Sequence, residues 1–167
     1  MQKLIIIPTI ISSLRIVVLP LFFYLYNAGN ITLCLILFAF SAATDLFDGY
    51  SARRLKVASR FGAYYDAATD FALVIGIFTF FAAKGYYPTW LLLLITASFI
   101  QFLASSLYAK KLYDPIGRYI GSALYIGIVL TLIFPTQAMF SFVEFAFVGF
   151  FLISLASRIA SFAGKKD

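Results

Sequence analysis

Residues 45–70 read D-L-F-D-G-Y-S-A-R-R-L-K-V-A-S-R-F-G-A-Y-Y-D-A-A-T-D, and they hold four of the chain's seven acidic residues, Asp45, Asp48, Asp66 and Asp70, within a mostly apolar sequence. On a helix, Asp45, Asp48, Gly49 and Ala52 stand at i, i+3, i+4 and i+7, while Gly62, Asp66 and Asp70 stand at i, i+4 and i+8, so each set lines one face. A short turn between Arg53 and Gly62 sets the two helices antiparallel, with Asp48 level with Asp66 and Asp45 level with Asp70. At roughly 1.5 Å per residue the deeper pair lies about 12 Å below the turn.

Carboxylates gathered at low dielectric cannot all stay ionised unless cations sit between them. The chain has no histidine and one cysteine, Cys34, which excludes a zinc or copper centre built on nitrogen and sulfur. Ligation by carboxylates alone favours Mg²⁺, Mn²⁺ or Ca²⁺. Mg²⁺ usually takes a few carboxylates together with substrate phosphates, and Arg53 and Arg54 beside the acids point to an anion that joins the metal. The residues describe a metal-bound phosphate ester at a membrane face. Helix packing alone would account for Gly49, Ala52 and Gly62 but not for four acids.

A chain of 167 residues that is 63% hydrophobic and 12% charged is expected to be an all-α, polytopic membrane protein with room for little besides its spans. Six apolar segments, roughly 9–27, 31–53, 62–83, 87–109, 117–134 and 136–160, are near the length that crosses a bilayer. The opening M-Q-K-L-I-I-I-P lacks a small-residue cleavage site and runs on into the first segment, so it is not read as a cleavable signal. Cys34 reads as a small buried apolar residue.

The net charge of +6 is spread over one set of loops, which speaks for membrane topology and against nucleic acid. Lys3, Arg53, Arg54, Lys56, Arg60, Lys110, Lys111, Arg118, Lys165 and Lys166 fall on or beside one side, against Lys84 alone on the other. The positive-inside rule then places both termini and the acidic cluster at the cytoplasmic face of the cell membrane.

The stretch from Asp45 to Asp70 resembles the signature of the CDP-alcohol phosphotransferase family, D-x-x-D-G-x-x-A-R, eight residues, then G-x-x-x-D-x-x-x-D, and matches it at every fixed position. I-P-T-I-I-S-S-L-R, residues 7–15, is similar to the opening of the family's phosphatidylglycerophosphate synthases, with Ser12 where a threonine is usual. The resemblance implies a single transmembrane domain over residues 1–167, usually a homodimer, that moves a phosphatidyl-type group from a CDP-linked lipid to an alcohol and releases CMP. It implies Mg²⁺ or Mn²⁺ on Asp45, Asp48, Asp66 and Asp70, with Asp70 also the base that takes the acceptor's proton. Thr9, Ser12, Gly49, Ala52, Arg53, Ser59 and Gly62 would hold the nucleotide end of the CDP-lipid, and Arg118 and Arg158 the acceptor.

The chemistry agrees with the residues taken separately, since an alcohol attacking phosphorus needs a base, a neutralised phosphate and a stabilised leaving group. Small residues at 49, 52 and 62 let a flat pyrimidine approach the backbone. Ser59 also reads as an exposed turn serine, and Arg15, Arg118 and Arg158 as membrane anchors. S-R-F-G-A-Y-Y-D resembles the glycerophosphate-using members of the family, which implies glycerol 3-phosphate as acceptor, and Arg118 and Arg158 at the cytoplasmic ends of their segments suit a phosphorylated polyol. Glycerophosphate-using members usually continue D-P-x-A-D-K where this chain has D-A-A-T-D-F, which keeps inositol phosphate as the alternative. A divalent metal or proton transporter is the reading from another class, but the second half carries no matching acidic pair. Glu144, far from the cluster, is expected to be protonated or to lie at a helix or subunit contact.

Overall fold

The computed structural model describes residues 17–54, 60–108 and 118–163. Among them are six helices and no strand: α1 (Val17–Asn27), α2 (Ile31–Arg54), α3 (Arg60–Ala83), α4 (Thr89–Tyr108), α5 (Arg118–Ile133) and α6 (Gln137–Ala163). The all-α expectation holds; the start of the first apolar segment lies outside the described residues, and the other segment ends fall within about three residues of the described helix ends. Two helices, over Tyr64–Ala83 and Gln137–Ser157, are long and apolar enough to cross a membrane, and four shorter apolar stretches lie in the others.

Large apolar side chains lie exposed on several of the described helices. Leu33, Ile36 and Phe40 on α2, Leu93 and Ile100 on α4, and Phe142, Phe145, Leu152 and Ile153 on α6 are all exposed. Helices that are apolar all round belong in a protein core or in lipid.

In the described links at 28–30, 84–88 and 134–136, several backbone N–H groups donate to carbonyls nearby in sequence. Gly29 and Gly85 adopt φ of 77° and 80°, the left-handed conformation that ends a helix at least cost without a Cβ. After α3 the Gly85 N–H donates to the Ala82 carbonyl at 2.9 Å and the Tyr86 N–H to the Phe81 carbonyl at 3.0 Å. The Tyr86 and Phe81 rings meet at 5.9 Å, the apolar contact that accompanies such a cap. Pro135 follows α5, and Thr136 caps α6 by accepting the Met139 N–H on its Oγ1 at 3.3 Å.

The chain forms two compact units, Met1–Ile77 and Phe78–Asp167. In the first, Phe22, Cys34, Phe38, Leu73, Val74 and Ile77 are buried. Cys34 is a free thiol whose Sγ lies 3.8 Å from the Phe22 carbonyl oxygen. Gly76 lies under Leu19, where a Cβ would come within 2.6 Å of Leu19 Cδ2.

In the second unit α6 packs against α5 and α4. A Cβ at Gly127 would lie 2.9 Å from Val143 Cγ1, so the missing side chain lets α5 and α6 approach closely, the usual role of small residues between apolar helices. The Tyr87 ring sits among Phe78, Phe81 and Phe140. Its hydroxyl lies 2.6 Å from Thr131 Oγ1, which itself donates to the Gly127 carbonyl at 2.7 Å. Thr131 has one proton to give, so Tyr87 is the donor to Thr131. Glu144 is half-buried on α6.

This order of donation predicts unequal costs. Tyr87→Phe leaves Thr131 bonded to Gly127 and should cost about 0.5–1.5 kcal/mol, whereas Thr131→Val strands a buried phenol and should cost about 1–3 kcal/mol. Thermal midpoints in detergent check the ranking, and equal losses would contradict the assignment of the donor.

Candidate active site on helices α2 and α3

The acidic signature falls on two helices, as its spacing requires. D-x-x-D-G-x-x-A-R lies wholly within α2, and G-x-x-x-D-x-x-x-D lies within α3. On α3 the buried residues Leu73, Val74 and Ile77 stand at helical spacing from Gly62, Asp66 and Asp70, so all six occupy one face. Asp66 and Asp70 are half-buried there. One stripe thus passes from carboxylates to core within a single turn, between Asp70 and Leu73.

The same holds for positions on α2. Cys34, Phe38 and Ser41 are buried, and the helical period carries their row on to positions 45, 48, 49 and 52. Apart from their helical backbone, Asp45, Asp48, Gly49, Ala52 and Arg53 lie outside the described residues, as do Thr9, Ser12, Arg15 and Ser59 entirely. Among the described residues no three potential metal ligands come together. Asp66 and Asp70 are the two acids of the signature whose surroundings are described.

Hydroxyls support these helices from within. Thr69, buried between the two α3 acids in sequence, donates its Oγ1 hydrogen to the Asp66 carbonyl at 2.9 Å. Thr44 likewise donates to the Ser41 carbonyl at 2.8 Å. Ser41 Oγ and Ser154 Oγ are buried and have no hydrogen-bond partner, a condition that costs roughly 1–3 kcal/mol for each group. Ser41 stands one turn before Asp45, and Ser154 one turn before Arg158. Sequence reasoning singled out neither serine, although a hydroxyl four residues ahead of a signature acid was there to be noticed.

Arg118 and Arg158 belong to the second unit, with side chains outside the described residues. The position of Arg158 continues the α6 row of buried Phe140, Val143, Phe147 and Ser154. Arg118, the first residue described in α5, is set about 120° around the helix axis from buried Leu124.

Comparison with known proteins shows the family. The profile of CDP-alcohol phosphatidyltransferase matches residues 5–161. The chain belongs to the CDP-alcohol phosphatidyltransferase family. A protein of Yersinia enterocolitica named CDP-diacylglycerol--glycerol-3-phosphate 3-phosphatidyltransferase is 40% identical over 90 residues, which are 52% of this chain and 49% of that protein. Proteins of the same name from Pectobacterium atrosepticum and Sodalis glossinidius are 38% and 35% identical over the same shares. The chain spans about half the length of these curated relatives. No solved structure matches it. The CDP-alcohol phosphatidyltransferase family is membrane-bound, in keeping with the large apolar side chains exposed on the described helices.

Proposed function

We propose that this protein transfers a phosphatidyl group from CDP-diacylglycerol to a hydroxyl of glycerol 3-phosphate and releases CMP. The observation that carries the reading is the complete acidic signature set on two helices, with the α3 acids on the face that continues into the core. The names of the relatives support the donor and the acceptor.

The residues supply the parts of the reaction. The acceptor oxygen forms a bond to the lipid-bearing phosphorus as the bond from that phosphorus to the CMP oxygen breaks, and Asp70 takes the hydroxyl proton. Arg53 pairs with the diphosphate through a planar, permanently charged group. Gly49, Ala52 and Gly62 allow the nucleotide to approach the backbone, and Thr9, Ser12 and Ser59 offer it hydroxyl partners. Arg118 and Arg158 hold the acceptor's phosphate.

The donor set fits a hard divalent cation, because its oxygens come from aspartates in a chain without histidine. A buried, unpartnered Ser41 hydroxyl one turn from Asp45 adds a polar atom at that level. Mg²⁺ or Mn²⁺ held by Asp45, Asp48, Asp66 and Asp70 would neutralise the diphosphate and stabilise the departing CMP.

D-A-A-T-D-F in place of D-P-x-A-D-K favours a second acceptor, inositol phosphate. The protein is read as a homodimer that spans the cytoplasmic membrane six times with both termini and the 54–61 turn at the cytoplasmic face, where nearly all loop lysines and arginines fall.

Mass spectrometry of the lipid product tests the activity. Purified protein given CDP-diacylglycerol and either phosphorylated acceptor should release CMP, prefer that acceptor to free glycerol or inositol, and stop in chelator. Ion flux without CMP would favour a transporter instead.

Separate roles for the acids predict separate defects. Asp66→Asn should weaken metal and CDP-lipid binding together, whereas Asp70→Asn should mainly remove turnover, which binding titrations alongside single-turnover rates will distinguish. The reverse pattern would exchange ligand and base.

Orientation is checked by cysteine labelling in sealed vesicles. A cysteine placed in the 54–61 turn should resist an external membrane-impermeant reagent until the vesicles are opened.

A further inference from the structure

Ser41 is 2% exposed, and its Oγ has no hydrogen-bond partner. A buried helical hydroxyl ordinarily returns its hydrogen to the carbonyl one turn back. Thr96 donates in this way to Leu92 at 2.8 Å, Ser98 to Leu94 at 2.8 Å and Thr131 to Gly127 at 2.7 Å. Ser41 makes no such bond to the Leu37 carbonyl, although the backbone there is regular helix. Its proton is therefore uncommitted within the protein.

The place of Ser41 in the helix says what the proton is for. It is the last position of the buried α2 row before the acids begin, and Asp45 follows at i+4. Residues so spaced hold their Cβ atoms about 6 Å apart on one face, close enough for a hydroxyl and a carboxylate to meet. Carboxylates that bind a cation with one oxygen keep lone pairs on the other, and a donor behind them fixes their orientation.

We propose that Ser41 is a positioning residue of the acid site, its hydroxyl donating to the Asp45 carboxylate when that carboxylate binds a divalent cation. The inference rests on the metal-binding reading of the acids given above. It assigns a role to a residue outside the signature and explains why an unsatisfied hydroxyl persists in the core of the first unit. A serine kept only for packing would be replaced by alanine without consequence for the metal.

Mn²⁺ titration of the full chain in detergent, read from the electron paramagnetic resonance signal of free Mn²⁺, tests it. Ser41→Ala should raise the Mn²⁺ dissociation constant about 10- to 100-fold, and Ser41→Thr, which keeps a hydroxyl, should stay within about threefold of the parent. Without metal, Ser41→Ala should melt at the parent's temperature or above it, because it removes an unpartnered polar group from the interior. Unchanged Mn²⁺ affinity in Ser41→Ala, or a lower melting point without metal, overturns the proposal while leaving the metal site standing. A parent that binds no Mn²⁺ overturns both.

Discussion

A backbone surrounded by hydrocarbon has no water to bond to, so each segment must satisfy its own amides and carbonyls. That constraint explains most of what is seen. Long helices do the work along their length, and the exposed ends are finished by short-range devices: left-handed glycines at 29 and 85 and the Thr136 cap. The hydroxyls of Thr96, Ser98 and Thr131 are absorbed in the same way by carbonyls of their own helices.

Against such a background, a carboxylate is a costly residue that has to be justified by what it binds. The α3 stripe shows how the chain manages the cost. Asp66 and Asp70 stay half-buried in the first half of the helix, and the same face becomes Leu73, Val74 and Ile77 within a turn. The acids thus share the packing face of the helix instead of facing lipid, which concentrates charge where a neighbouring helix or a ligand can meet it. The helical period gives α2 the reverse order, with Cys34, Phe38 and Ser41 leading to Asp45 and Asp48.

Helix association in apolar surroundings depends on close fit and hydrogen bonds more than on burial of apolar area, because lipid is as apolar as the interior. The second unit uses both. Gly127 admits Val143, and the Tyr87–Thr131–Gly127 relay joins the link before α4 to the last two turns of α5. Tyr86 stacks on Phe140 at 4.6 Å, which brings the same link to the start of α6.

The amino-acid sequence by itself determined the helices and where the acidic signature falls on them. Segment ends were legible because glycine, proline and charge interrupt apolar runs: residues 31–53 and 87–109 correspond to Ile31–Arg54 and Thr89–Tyr108. The signature was legible because its aspartates are conspicuous among apolar neighbours, and its spacing already implied the shared faces. Which apolar residues turn inward was not legible, because helices with apolar side chains on every face give no amphipathic period to read. Only the tertiary structure decided that Tyr87 donates to Thr131, that Gly127 meets Val143, and that Ser41 is buried with its hydroxyl unpartnered. Each depends on atoms distant in sequence, or on the packing around a helix face, and neither composition nor period encodes those.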